Sequence, residues 1–253
     1  NKLTGATTSD ANANGELVQK YGIVVDVTKD VSTYASYATI FEPQTDQTTS
    51  GDLVDPRVGE QYEVGVKGEF MGGALIGHMA AFQINDENRA TSIDGCVGSL
   101  CSEAAGLVRS QGVEAEISGE PYRGWQMNAG YSYTYAKYVK DPSNEGLDFS
   151  NETPKHMLNL TADYEFQAGM LKGVNLGGGV RVKSSYDTTA NTLRYYQDPF
   201  ALLDAHVGYK FSDKLTSQLS VTNLLDESYY ERLDGSSRNN RWGAPRGFML
   251  SLR

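Results

Sequence analysis

The sequence predicts an all-β protein: an antiparallel transmembrane β-barrel with long connections at one end of its strands and short turns at the other. Three observations carry that reading. Apolar and polar residues alternate with period two over about ten residues at a time, repeatedly along the chain, which is the period of a strand with two unlike faces and not of a helix. The connections between these segments alternate short and long. Tyr and Trp collect near segment ends, where a ring can bury its body in lipid and keep its polar handle wet.

Eleven segments are expected, in five close pairs and a last single strand. Segments 17–28 and 31–41 flank Lys29-Asp30, and 61–70 and 74–85 flank Met71-Gly72-Gly73. Segments 107–118 and 125–138 flank Gly119–Gly124, 155–166 and 174–184 flank Gln167–Gly173, and 200–211 and 215–223 flank Ser212–Lys214. The eleventh is 246–253. In the sixth, Trp125, Met127, Ala129, Tyr131, Tyr133 and Tyr135 oppose Gln126, Asn128, Gly130, Ser132 and Thr134. Long polar stretches fill 42–60, 86–106, 139–154, 185–199 and 224–245. A soluble sandwich has no reason to keep its long loops at one end, whereas an outer-membrane barrel has tight periplasmic turns and long extracellular loops.

Charge and composition narrow the function. The 253 residues carry 22 Lys and Arg against 32 Asp and Glu, a net charge of −10. Nucleic acid is thereby disfavoured as a partner, because phosphate neutralisation needs a basic face. No run approaches the roughly 18 apolar residues of a membrane-spanning helix, and Asn1 opens neither a signal nor a transit peptide. A lumen-side row of Glu63, Lys67, Glu69, Glu114, Glu116, Asp163, Glu165, Arg181, Lys183 and Asp204 is ordinary in a wide polar interior and intolerable in a dry core. Single-chain bacterial barrels have an even number of strands, and an open sheet cannot sit in lipid with a bare edge. Eleven strands are therefore expected to be part of a larger barrel. Its other strands are expected before Asn1, and the polar Asn1–Gly15 reads as the tail of a loop.

Five landmarks then resemble one family. They are Val54-Asp55-Pro56-Arg57-Val58-Gly59-Glu60-Gln61-Tyr62-Glu63-Val64-Gly65-Val66-Lys67, Gln111-Gly112-Val113-Glu114-Ala115-Glu116, Thr153-Pro154-Lys155-His156, Val221-Thr222-Asn223-Leu224-Leu225-Asp226-Glu227-Ser228-Tyr229-Tyr230 and Trp242-Gly243-Ala244-Pro245-Arg246-Gly247-Phe248. In this order they are similar to the barrels of TonB-dependent outer-membrane receptors, and most similar to the ferric-siderophore subgroup that takes up hydroxamate or pyoverdine-type chelates. The resemblance implies that residues 1–253 are the C-terminal part of a barrel of about twenty-two strands with a plugged lumen. The plug domain and the box that meets the energising partner lie outside this sequence, and the chain stops at Arg253 where family members end on an aromatic residue. The implied partners are a ferric siderophore, the TonB energy-coupling protein acting through the plug, and outer-membrane lipid and lipopolysaccharide. The implied assembly is a monomer in the outer membrane of a Gram-negative bacterium. A passive, porin-like channel is the rival class, another metal chelate such as cobalamin the rival cargo, and an outer-membrane protease or lipase the third class.

The candidate sites follow. Cys96 and Cys101 lie in one long outer loop. Two cysteines with no His nearby cannot close a four-ligand zinc site, and in an oxidising compartment they read as a disulfide pinching the loop tip, with a metal or redox role and free thiols as alternatives. His78, His156 and His206 have no Ser or Cys nucleophile at a telling spacing. Gly177-Gly178-Gly179 lies within a strand and reads as relief for close packing, not as a phosphate loop. No nucleophile–base constellation points to an enzyme, no resident cofactor is expected, and Asp213, Asp226, Glu231 and Asp234 lack EF-hand spacing. The resemblance implies a bulky chelate whose iron is already coordinated, so the protein should offer aromatic faces and a few donors at the outer mouth. Arg194, Tyr195 and Tyr196 in one loop, and Tyr229, Tyr230, Arg241 and Trp242 with Arg238 in the last, are the expected contacts. An arginine there could pair with acidic groups on the chelate. The alternative is that these aromatics belong to the girdle or pack loop on loop.

Overall fold

A computed structural model of the protein describes residues 17–93, 101–141, 144–149, 153–190, 193–233 and 239–253. These form strands β1 (Lys20–Asp26), β2 (Val31–Glu42), β3 (Arg57–Phe70), β4 (Leu75–Ile93), β5 (Cys101–Gly119), β6 (Trp125–Lys140), β7 (His156–Glu165) and β8 (Val174–Lys183). There follow β9 (Tyr186–Ala190), β10 (Leu193–Gln197), β11 (Phe200–Ser212), β12 (Leu215–Thr222), β13 (Tyr230–Arg232), β14 (Arg241–Trp242) and β15 (Gly247–Leu252). Eleven of them make one antiparallel sheet in the order β1-β2-β3-β4-β5-β6-β7-β8-β11-β12-β15. Each is one of the eleven segments that the alternation marks. The other four strands are two outer hairpins, β9–β10 and β13–β14, in stretches expected to be plain loops.

The register sorts the two faces. The ten charged residues expected in the lumen, from Glu63 to Asp204, all fall on one face of the continuous ladder. The opposite face is apolar: one level across it reads Ala35, Val64, Ala81, Val113 and Tyr133. The next level outward reads Tyr37, Tyr62, Gln83, Gln111 and Tyr135. Tyr135 Oη donates to Gln111 Oε1, and Gln111 Nε2 to Gln83 Oε1, both at 2.7 Å. At the periplasmic end the rings of Trp125 and Tyr164 lie 5.0 Å apart, those of Tyr164 and Phe166 4.9 Å, and those of Tyr209 and Phe211 4.7 Å. Along β6, Trp125 to Tyr135 covers about 34 Å of strand, or about 26 Å of height at the usual barrel tilt, the thickness of an outer-membrane apolar band.

Where the sequence reading stops short, water explains it. β4 and β5 stay paired up to Ile93 and Cys101, although 86–106 reads as loop. Beyond the lipid both faces of this hairpin meet water, so residues such as Asn88 and Arg89 carry no hydrophobic period to read. The same holds for β3, which begins at Arg57. There Arg57 donates from Nε to Asp86 at 2.6 Å and from Nη1 to Glu42 at 2.9 Å, tying the ends of β2 and β3 to the middle of β4.

Two strand glycines make room for lumenal side chains. Tyr34 Oη donates to Glu63 and lies 2.7 Å from His78 Nε2, while Lys67 Nζ sits 5.0 Å over the Tyr34 ring. A Cβ on Gly65 would collide with that ring. His206 Nε2 lies 2.8 Å from Asp163 Oδ1 and 2.9 Å from Asn175 Oδ1, and a Cβ on Gly177 would strike both Asp163 and His206. The triple-glycine run is indeed relief for close packing.

Candidate binding site at the outer mouth

The last outer loop is built upward from a knot at its base. Asn223, 3% exposed, takes a left-handed backbone at φ +50°, a conformation that Asn adopts more readily than most residues. Its N–H donates to Asp204 Oδ1 at 2.8 Å. Its Nδ2 donates to the carbonyls of Glu227 (2.9 Å) and Ala244 (3.1 Å), and its Oδ1 accepts from Glu227 N–H (2.8 Å). Asp226, at φ +56°, accepts from the Arg246 N–H at 2.9 Å, and Arg246 Nη1 reaches the Leu224 carbonyl at 3.2 Å. The fourth and fifth sequence landmarks are thus the two sides of one knot joining β12 to β15. Asp204 is shared: its Oδ2 accepts from Arg181 Nη2 at 3.1 Å on the lumenal face.

Above the knot the two hairpins pack on each other over the lumenal face of β11. Phe200 and Leu202 share that face with Lys183 and Arg181, their register partners. Tyr229 stacks on Phe200 at 4.6 Å, and with Tyr186, Leu202 and Leu233 they form a buried cluster in which Leu233 is 1% exposed. Tyr186 Oη donates to the Tyr230 carbonyl, and the Tyr230 N–H donates to Gln197 Oε1 at 2.7 Å. Burial, with Tyr229 and Glu231 nearby, pushes the Tyr186 phenol above its usual pKa and keeps it a neutral donor. Gly243 donates to the Tyr229 carbonyl at 2.8 Å, and a Cβ there would strike the Tyr229 ring.

The structure brings the expected contact residues to one end of the wall but gives them different surroundings. Tyr229, 8% exposed, lies inside the cluster, and Tyr195 and Tyr230 pack against it half-buried. Trp242 is 61% exposed and stacks on Tyr230 at 4.0 Å, so one face of its ring is open. Tyr196 is exposed, with the Arg194 guanidinium 5.6 Å over its ring. Arg194 Nε bonds Asp187 at 2.8 Å, which raises its pKa further and fixes the charge. Arg241 Nε bonds Glu231 at 3.0 Å. Both guanidinium groups are held by Nε and keep other N–H donors for an acidic ligand. Arg238 and Asp234 lie outside the described residues, as does the Cys96–Cys101 pairing.

Beside Arg194 opens a cavity of about 410 Å³ between the foot of the β9–β10 hairpin and the segment leading into β7. Two ion pairs line it, Arg194 with Asp187 and Lys155 with Asp148 at 2.6 Å, together with His156 and Tyr186. Sequence reasoning singled out Arg194 here and missed Asp148, Asp187 and Tyr186. Asp187 carried no sequence signal, since its place opposite Tyr196 depends on the pairing of β9 with β10.

A family model described as "TonB dependent receptor-like, beta-barrel" matches residues 1–224. The chain belongs to the TonB-dependent receptor family. This receptor barrel is 34% identical over 255 residues to the ferripyoverdine receptor of Pseudomonas aeruginosa, covering 95% of the chain and 30% of that protein. It is 32% identical over 244 residues to the ferric-pyoverdine M114 receptor of Pseudomonas sp. strain M114, covering 94% and 29%. The crystal structure of the ferripyoverdine receptor of the outer membrane of Pseudomonas aeruginosa, bound to ferripyoverdine, superposes with TM-score 0.83 at 31% identity, covering 94% of the chain and 33% of that structure. The chain thus spans about a third of the length of the relatives it matches. As an outer-membrane barrel, the receptor family gives a direct reason for a sheet with one lipid-facing and one charged face.

Proposed function

We propose that this chain forms wall and outer mouth of a receptor that binds a ferric siderophore of the pyoverdine or hydroxamate type and passes it to the periplasm. The observation that carries the reading is the pair of outer hairpins, folded over the lumenal face and presenting Trp242, Tyr196, Arg194 and Arg241 to solvent. Aromatic faces suit the apolar body of such a chelate, and guanidinium donors suit its acidic groups. Tyr195 and Tyr230 add half-buried edges, and Tyr229 acts from beneath by holding the platform in place. The ferripyoverdine receptors among its relatives support the same cargo class. Import would draw on TonB through a plug domain outside this chain, in a monomeric receptor, and the Cys96–Cys101 disulfide would trim one outer loop. The chelate passes through chemically unchanged, so no catalytic group is required.

The test is fluorescence titration of the full-length receptor with ferric pyoverdine and with a ferric hydroxamate. Trp242→Ala and Tyr196→Ala are each expected to weaken binding by about 1–2 kcal/mol, the scale of a lost aromatic contact. Unchanged affinity in both variants for both chelates would remove these residues from the site. Steady conductance in planar bilayers without saturable binding would instead mark a passive channel.

A further inference from the structure

The cavity of about 410 Å³ at the foot of the β9–β10 hairpin carries a charge pattern that the binding mouth does not use. Two ion pairs share it. Arg194 Nε bonds Asp187 Oδ2 at 2.8 Å within the hairpin, and Lys155 Nζ bonds Asp148 Oδ2 at 2.6 Å at the approach to β7. In both pairs the carboxylate is the more buried member and the cation the more exposed. Each bond engages one carboxylate oxygen and one N–H group, so the guanidinium, the ammonium and both carboxylates keep capacity for a second partner. Thr153 and Ser185 add hydroxyl groups to the same lining. The four charges sum to zero, with each sign present twice.

We propose that this cavity binds a zwitterionic amino-acid group, its carboxylate on Arg194 and Lys155 and its ammonium on Asp148 and Asp187. Charge balance argues for it. A ligand with a single charge gains an attraction from one member of each pair and meets a like charge in the other. A ligand that carries both signs a few bonds apart satisfies both members at once. Exposure argues for it too. Ion pairs this open to water are held weakly, so their N–H groups and carboxylate oxygens take a new partner at little cost. The volume lies within the range of small-molecule sites, and the two hydroxyl groups suit the polar remainder of an amino acid. Lys155 and Asp148 take no part in the chelate mouth, so the inference goes beyond that reading and shares only Arg194 with it. The zwitterion can arrive as a free amino acid or as a unit of the chelate, and the groups that recognise it are the same.

The experiment is saturation-transfer NMR of the full-length receptor in detergent micelles, with L-serine as the probe. Its single-charge analogues, serine methyl ester and N-acetylserine, are the comparison, and no chelate is present, so a failure of the mouth does not enter. Serine is expected to bind about tenfold more tightly than either analogue, the scale of one hydrogen bond to a charged group. Asp187→Asn and Lys155→Gln should each weaken serine binding about tenfold. Lys155→Gln should also narrow the preference for serine over its methyl ester, because the cation that repels the ester is gone. Lys29→Gln on a periplasmic turn should behave as wild type. Ferric pyoverdine titrated in saturating serine then identifies the source: competition marks a unit of the chelate, and unchanged chelate affinity marks a free amino acid, each supporting the site. Equal binding of serine and either analogue, or unchanged serine binding in both variants, would overturn the proposal. Should Asp187→Asn loosen the hairpin, read as faster tryptic cleavage at Arg194, Lys155→Gln decides alone, since Lys155 lies outside the hairpin.

Discussion

Asn223 combines a left-handed backbone with a fully engaged side-chain amide beneath the last outer loop. An Ala there pays about 1 kcal/mol for the backbone and leaves buried groups of Glu227 and Ala244 unpartnered, at about 1–3 kcal/mol. A Gly keeps the backbone freedom and loses only the side-chain bonds. The expected order of tryptic cleavage at Arg232 or Arg241 in the folded receptor is therefore Asn223→Ala fastest, Asn223→Gly next, and wild type slowest; equal rates would show that the knot does not set loop stability. Asn223 sits in a landmark visible in the sequence, but its work does not. Nothing local says that Asp204 and Ala244, 19 and 21 residues away, complete its bonds. Tyr229 teaches the same lesson: an aromatic residue beside an arginine-rich loop tip resembles a contact, and only Phe200 beneath it shows that its ring is covered.

At the scale of elements, the hairpins act as a unit because their shared cluster lies between them and β11. Phe200→Ala removes the surface on which Tyr229 stacks and should cost about 3 kcal/mol of local packing. Loop proteolysis should accelerate and chelate affinity should fall together, although Phe200 is buried away from solvent. Tyr196→Ala should lower affinity with proteolysis unchanged, since that ring is exposed and lies outside the cluster. If Phe200→Ala left proteolysis as it was, the cluster would not be what positions the mouth. The eleven wall strands were legible because each has one face toward lipid and one toward a polar lumen, and that contrast is written in alternation. The hairpins were not, because arms such as Tyr186–Ala190 rest on a small aromatic cluster and face water elsewhere, so no period appears.

For the whole molecule, the two outer strands of the sheet decide its behaviour. Among the described residues β1 and β15 each pair on one side only, and in a bilayer every unpaired backbone group costs several kcal/mol. The 253 residues produced alone are therefore expected to give no folded, heat-modifiable monomer in detergent or lipid and to associate through these edges. A discrete band that shifts on boiling would mean that the sheet closes on itself. Expressed within the full-length receptor, the same residues should shift as part of one barrel.

Asp204 gives one carboxylate to two tasks: one oxygen steadies the loop knot, the other faces a cation inside the pore. Mouth and interior are thereby wired through a single side chain. Drawing Arg181 away would leave the carboxylate that anchors the last outer loop without its lumenal cation. Asp204→Asn separates the two tasks, keeping an acceptor for Asn223 while discarding the charge that holds Arg181. The expected result is a loop of nearly wild-type protease resistance above an interior whose arginine is released, read as higher reactivity of Arg181 toward a guanidine-modifying dicarbonyl. Equal reactivity in the two proteins would mean that the line between the compartments is silent.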